Sequence, residues 1–257
     1  THKTSSAASD VYKRQGGFLD KKFQAFVHRG DTSNFRENTL EAFKDANNLG
    51  FNYLETDLRK TKDNKIVTFH DKDLERVCGR KIKLNEINFA ELNKLDFYKS
   101  GHTPSLYELL EEFPTSFFNI DLKIPKIGNT VLKILKDTNA EERVCIGSFN
   151  SKNLDEVQNL NPKILTSMGI RDIVKLKFLN LPNLKSKIVQ IPETWKGLKV
   201  LSKSLLERCK LLDLKVHVWT INEEKDMQRL IDLGVDGIMT DKPKVLKSVL
   251  IKNFISL

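Results

Sequence analysis

Residues 52–71 read NYLETDLRKTKDNKIVTFHD, and the rest of the chain is organised around this stretch. YLETDL and KIVTF are rich in strand formers, and KDNK between them is turn chemistry. With Asp63-Asn64 as a two-residue hairpin loop, Lys62 pairs with Lys65 and Asp57 faces His70 across the ladder. Glu55 stands two residues before Asp57 and so shares its face. Carboxylates buried without partners cost free energy. Two of them beside an imidazole read as a metal site or a general acid/base site. The other reading of this stretch alone is an edge strand with solvated charges.

Outward from the hairpin, short apolar runs alternate with amphipathic helical patterns. The strand candidates are residues 24–28, 52–58, 116–123, 143–149, 163–168, 187–191, 215–219 and 236–240, with 66–69 as the return arm of the hairpin. Each of the eight is followed by a helical pattern. The first opens at an N-cap region, Asn38-Thr39, carries the stripe Leu40, Phe43 and Ala46, and stops at Gly50. A longer mixed segment, 72–105, follows the hairpin. Pro104 then introduces the helix SLYELLEEF. Alternating β and α over about 230 residues without a G-x-G-x-x-G predicts an α/β fold, a single (β/α)8 TIM barrel with a small insertion at about 72–105.

The first fifteen residues do not share this pattern. THKTSSAASDVYKRQ is polar throughout, and its DVYKRQ matches the translation of a common sequencing-adapter oligonucleotide. Residues 1–15 are therefore set aside as an artefact or a disordered tail, and 16–257 are expected to form the barrel.

Composition narrows the class. Of 257 residues, 39% are hydrophobic and 30% charged, the balance of a globular protein. No run of about 18 apolar residues is present, so no membrane segment is expected. Three cysteines, Cys78, Cys145 and Cys209, lie far apart without a C-x-x-C, which fits a reducing compartment. The expected location is the cytoplasm. A secretion signal or membrane anchor ahead of residue 16 stays open. The net charge of +9 comes from scattered lysines with few aromatics between them, so no nucleic-acid-binding stripe is expected. It reads as general solvation or as a field that favours anionic substrates.

In a barrel, chemistry gathers at the C-terminal ends of the strands. Here those ends carry His28-Arg29-Gly30, Glu55 and Asp57, Asp121 and Lys123, Trp219-Thr220-Ile221-Asn222, and Thr240-Asp241-Lys242-Pro243, with His70-Asp71 brought by the hairpin. Glu55, Asp57 and Asp121 are hard oxygen donors suited to Mg²⁺ or Ca²⁺. Arg29 offers a rigid fork of donors for a phosphate, and Lys123 a point charge for the same task. His28 and His70 titrate near neutrality and suit a general acid/base pair. Trp219 reads either as an apolar wall of the pocket or as rim packing. Glu37 and Asn38 read as positioning residues, or Asn38 as a helix cap. His217 reads as a satisfied core histidine, His102 as exposed, and Phe97 and Tyr98 as pocket-lining or simply exposed loop aromatics.

HRGDTSNFRENTLEAFKDA, YLETDLRKTKDNKIVTFHDKDLERVCG, TPSLYELLEEF, NIDLK and VWTINEEKDMQRLIDLGVDGIMTDKP occur in this order. Together they resemble the glycerophosphodiester phosphodiesterase family from about Gln24 to Lys247. The resemblance implies a (β/α)8 enzyme that uses a divalent cation to hydrolyse glycerophosphodiesters to glycerol 3-phosphate and an alcohol. It implies His28 and His70 as the acid/base pair, Arg29 and Lys123 on the phosphate, and Glu55, Asp57 and Asp121 as metal ligands. The family's third ligand is usually a glutamate in E-x-K, and here Asp121 draws that carboxylate back by about one methylene. Segment 72–105 matches the family's inserted region, which caps the mouth and holds the glycerol end. Two other functions are weighed beside it: a lysophospholipase D-like phosphodiesterase on the same barrel, and a non-catalytic phosphate-ester binding module. Both histidines and all three acids being in place speaks against the last.

Overall fold

The structure, a computed structural model, describes residues 17–178 and 185–257. The tail set aside above, residues 1–15, lies outside the described residues. The barrel strands are β1 (Gln24–His28), β2 (Tyr53–Lys60), its hairpin partner β3 (Ile66–Thr68), β4 (Phe117–Leu122), β5 (Val144–Gly147), β6 (Ile188–Pro192), β7 (Lys215–Trp219) and β8 (Gly237–Thr240). Seven of them form a curled parallel sheet in the order β5-β4-β2-β1-β8-β7-β6, with β3 antiparallel to β2. The helices of the barrel are α1 (Leu40–Asn48), α2 (Leu106–Glu112), α3 (Gly128–Asp137), α4 (Ser151–Leu160), α5 (Ile170–Phe178), α6 (Lys203–Leu211), α7 (Glu224–Leu233) and α8 (Pro243–Lys252).

The eighth strand, expected over 163–168, is reduced to two isolated bridges, Ile146 with Thr166 and Ser167 with Ile188. The turn leaving α4 uses up Lys163 and Ile164, since Ile164 N donates to Asn161 O at 3.2 Å. What stays extended still joins β5 to β6. Ser167 N donates to Ile146 O at 2.9 Å and Met168 N to Ile188 O at 2.8 Å. The ring is a (β/α)8 barrel with one thin stave.

The hairpin register also differs from the expectation. Leu58 pairs with Thr68 and Lys60 with Ile66, so the residue opposite Asp57 is Phe69, not His70. The cause is the loop. Asn64 takes a left-handed φ of 63°, Asn64 N donates to Thr61 O, and Thr61 N closes onto Lys65 O at 3.0 Å. That is a three-residue loop built on a turn plus a left-handed residue, one longer than the two-residue form. His70 therefore leaves the end of the ladder, where its carbonyl accepts from Arg59 Nε at 2.7 Å.

Alternation along the strands sorts the side chains. Ala25, Val27, Leu54, Leu58, Phe118 and Ile120 face the helices in the main core. Inside the barrel, Phe26, Tyr53, Phe117, Cys145, Ile188 and Met239 form an apolar floor closed by Phe18. Tyr53 stacks on Phe117 at 4.8 Å, and Phe18 meets the Tyr53 ring edge-on at 5.4 Å. Burying each such ring is worth roughly 2–3 kcal/mol. Above this floor the same faces carry polar groups.

The helices follow their sequence signals. Thr39 caps α1, its Oγ1 accepting from Ala42 N, while Ala42, Phe43 and Ala46 are buried. Ser105 caps α2 in a capping box with Glu108. The segment 72–105 packs Leu74, Val77, Leu84, Ile87 and Leu92 against Val67 and Phe69 of the hairpin. Arg36 pins it to the loop after β1 by donating to Thr103 Oγ1 at 2.6 Å beneath the Phe97 ring.

Candidate active site

Two cavities open at the C-terminal end of the barrel and share His28 and Arg29. The larger, about 470 Å³, is lined by His28, Arg29, Glu55, Asp57, His70, Asp121, Lys123 and Trp219. These eight residues thus meet in one cavity, as their strand-end positions imply.

Register brings them together. His28 pairs with Glu55, Glu55 with Asn119, and Asp57 with Asp121, so one turn of the barrel wall carries them all. His28 Nδ1 lies 2.6 Å from Asp241 Oδ1, and its Nε2 lies 3.7 Å from Glu55 Oε2. Asp241 is itself held: Asn222 Nδ2 donates to its Oδ2 at 2.9 Å, and its own N–H donates to Asn222 Oδ1 at 2.9 Å. The loops after β7 and β8 therefore fix the ring orientation of His28 with Nδ1–H on Asp241 and Nε2 toward the cavity. Burial favours the neutral imidazole, yet Glu55 and the Asp241 hydrogen bond outweigh it and raise the His28 pKa.

Arg29 sits at a φ of 60°, held in that turn by its N–H on Glu55 O and by Asn38 N on its carbonyl. Gly30 follows at a φ of 84°, where a Cβ would come within 2.7 Å of Ala42 on α1, so the turn requires glycine. Arg29 Nε pairs with Asp57 Oδ2 at 2.9 Å and Nη1 with Glu37 at 3.1 Å. Lys123 Nζ lies 2.9 Å from Asp57 Oδ1 and also pairs with Asp121. Burial pushes the Asp57 carboxyl up, but Lys123 and Arg29 pull it below its usual range. Burial and the neighbouring Asp57 push Glu55 up to about 7. Burial likewise holds Asp121 above its usual value.

His70 Nδ1 bonds Asp71 at 2.8 Å, Asp71 takes Arg76 Nε at 2.6 Å, and Arg76 reaches Glu37 at 2.5 Å. Asp71, Arg76 and Glu37 thus link His70 to Arg29 in one chain of ion pairs. Asn38 is not the cap of α1. It turns inward, donating to Asp57 Oδ2 at 3.1 Å and accepting from Thr56 Oγ1 at 2.7 Å. Asp241 and Asn222 were visible at strand ends, yet residue type alone gave them no role. Their pairing is a tertiary fact. His217 lies fully buried in the floor, its Nε2 2.5 Å from Gln24 Oε1. Phe97 is occupied with Arg36, and Tyr98 is exposed beside the second cavity.

The far side of the large cavity is mostly apolar, with Lys177 and Lys199 at its edge. Phe149 lies 5.5 Å from both Trp219 and Trp195, and Met168, Ile173 and Val200 continue the wall. No local pattern marks this wall, because its apolar residues look like ordinary helix and strand stripes.

A barrel rim that gathers two histidines, an arginine, a lysine and three carboxylates in one cavity is suited to chemistry on phosphate esters. The sequence model of the Glycerophosphoryl diester phosphodiesterase family matches residues 28–245, and the chain belongs to that family. It is an enzyme of phosphodiester hydrolysis. It is 32% identical to a glycerophosphodiester phosphodiesterase of Caldanaerobacter subterraneus subsp. tengcongensis, over 88% of this chain and 96% of the relative. It is 30% identical to the human protein named lysophospholipase D GDPD1, over 93% of this chain and 88% of the relative. An Oleispira antarctica phosphodiesterase, solved with its product sn-glycerol 3-phosphate, shares the fold at a TM-score of 0.76 and 23% identity, covering 89% of this chain and 96% of that one.

The family is generally dependent on a divalent metal. Among the described residues no three His, Cys, Asp or Glu side chains converge on a common metal position. Lys123 and Arg29 take up the Asp57 and Asp121 oxygens instead. The donor chemistry nonetheless fits a hard cation: three carboxylates on adjacent strands, with Glu55 Oε2 buried and lacking a hydrogen-bond partner.

Proposed function

We propose that this chain hydrolyses glycerophosphodiesters to glycerol 3-phosphate and an alcohol in a metal-dependent reaction. One observation carries the reading: His28, His70, Arg29, Lys123 and three carboxylates line a single cavity. Glu55, Asp57 and Asp121 are the residues that would hold Mg²⁺ or Ca²⁺, and a bound cation supplies charge neutralisation to the phosphoryl oxygens. Arg29 and Lys123 orient the phosphate and offset the charge that develops on it. One histidine takes the proton from the substrate hydroxyl adjacent to the phosphate, and that oxygen attacks phosphorus. The other histidine gives its proton to the departing alcohol oxygen. Water then opens the cyclic phosphate with the two roles exchanged. Segment 72–105, which supplies Arg76, Val77, Tyr98 and Lys99 to the second cavity, receives the glycerol end. We read the enzyme as cytoplasmic, supported by its three free cysteines.

The test is release of glycerol 3-phosphate from glycerophosphocholine and glycerophosphoethanolamine, with and without Mg²⁺ or Ca²⁺, beside His70→Ala. No turnover of either with any divalent metal would overturn the reading. A second reading, a lysophospholipase D-like activity, is favoured by the apolar wall from Trp219 to Trp195. Preferential turnover of a lysophospholipid in the same assay would select it.

A further inference from the structure

The mouth of the large cavity gathers exposed apolar side chains from two elements. Residues Thr194–Trp195 and Leu198–Lys199 form a two-stranded hairpin in which Trp195 pairs with Leu198. Its two loop residues, Lys196 and Gly197, both take positive φ, 48° and 80°. That is the tight turn whose twist matches the strands, so the tip is rigidly presented. A Cβ on Gly197 would meet nothing within 4 Å, so the tip stands clear of the molecule. Leu198 is 73% exposed and Trp195 40%.

The outer face of α5 continues this surface. Ile170, Val174 and Phe178 are 47%, 47% and 70% exposed. Lys177 Nζ donates to the Lys199 and Val200 carbonyls at 2.5 and 3.0 Å, tying helix to hairpin. The five apolar side chains all line the cavity as well, so the exposed patch and the catalytic space are continuous. Lys196 and Lys199 are exposed among them, and neither makes an ion pair among the described residues. The acids at the border, Asp172 and Glu193, are paired with Arg171 and Arg229.

We propose that the hairpin at 194–199 and the outer face of α5 dock the cavity mouth onto the surface of an anionic lipid bilayer. Exposed aliphatic and aromatic groups enter the headgroup boundary, tryptophan is at home at that depth, and unpaired lysines meet the lipid phosphates. A protein partner would need a complementary apolar face, and nothing in the chain's charge pattern selects one. The lysines select an anionic surface. The docked mouth opens the catalytic cavity directly at the lipid boundary, so a substrate leaving the bilayer need not cross water. This inference does not depend on which diester is hydrolysed.

The experiment is co-sedimentation with phosphatidylcholine vesicles that contain or lack phosphatidylglycerol, at physiological salt. The wild type is expected on the anionic vesicles and not on the neutral ones. Lys196→Glu swings the tip charge by two and is expected to weaken binding at least about tenfold. Leu198→Ser is expected to weaken it by several fold. Lys136→Glu, the same charge change in the last turn of α3 at the opposite end of the barrel, is expected to leave binding near wild type. Lys196→Glu is also expected to leave hydrolysis of water-soluble substrate unchanged, since Lys196 touches neither cavity. Absence of binding to anionic vesicles overturns the proposal. So does an equal loss in Lys136→Glu, which would mean that bulk charge alone drives the contact.

Discussion

The barrel interior holds two layers on the same strands, and their chemistry is opposite. The lower layer is Phe26, Tyr53, Phe117, Cys145, Ile188 and Met239, with His217 among them. The upper layer, two or four residues further along, is His28, Glu55 and Asp57, Asp121 and Trp219. Alternation sends both layers to the same face, so side-chain direction does not distinguish them. Depth and neighbours do. His28 meets Glu55 and Asp241, and they raise its pKa despite burial, whereas His217 meets neutral amides and the Phe26 ring and is pushed down to about 3. A histidine on a strand is chemistry in one layer and packing in the other.

The comparison is broken most directly by exchanging which histidine is lost. His70→Ala and His28→Ala are each expected to lower kcat for glycerophosphocholine about 10³-fold or more, within the range for removing a general acid or base. His217→Gln is expected to leave kcat within about twofold, since its side-chain partners are the neutral amides of Gln24 and Gln190 and none of the charged site residues. Equal losses from all three would dissolve the distinction between layers. Metal removal ranks next. A chelator is expected to abolish turnover and lower the melting temperature. At a free cation concentration of one hundred times Kd, the lost stabilisation is about 2.7 kcal/mol. An unchanged melting temperature and full activity in the chelator would remove Glu55, Asp57 and Asp121 from that role.

Smaller effects sharpen the upper layer itself. Asp241→Asn keeps the shape but loses the charge that orients His28, and kcat is expected to fall about 10²-fold with KM nearly constant. A change confined to KM would instead make Asp241 a substrate contact. Trp219→Ala removes the ring that stands 5.5 Å from Phe149. A three- to tenfold rise in KM is expected, consistent with about 1 kcal/mol for an aromatic contact, with kcat little altered.

Much of this was legible before the structure. Periodicity marked seven barrel strands and their helices, because each strand carries a two-residue pattern and each helix a wider apolar stripe. The eighth stave is shorter than its sequence suggests, since KILTSM reads as strand while its first residues are consumed by the turn after α4. The hairpin register slipped by one because Asn64 adopts a left-handed conformation that KDNK does not announce. Site residues with distinctive chemistry, His28, Arg29, Glu55, Asp57, His70, Asp121 and Lys123, stood out by type at strand ends, and all reach one cavity. Asp241, Asn222 and the Phe149–Trp195 wall did not. Their roles depend on partners up to 213 residues away in sequence, and no local pattern encodes that.

The lower layer makes its own prediction, on stability rather than turnover. Burial, with Lys215 adding to it, depresses the His217 pKa from 6.5 to about 3 in the folded chain. The unfolded chain takes up a proton below 6.5 that the folded chain refuses. The stabilisation is therefore complete above 6.5 and falls as pH drops from there toward the folded value. The slope from this one group is about 1.4 kcal/mol per pH unit, so about 2 kcal/mol is lost by pH 5. His28 contributes with the opposite sign, because its folded pKa is raised. Urea unfolding of wild type and His217→Gln between about pH 5 and pH 8 separates the two. The variant carries a constant repacking cost, which cancels in the slope, and the wild type is expected to lose stability faster than the variant on the acid side. Parallel curves for the two proteins would mean that His217 is protonated in place, and the floor of the barrel would then be as polar as its rim.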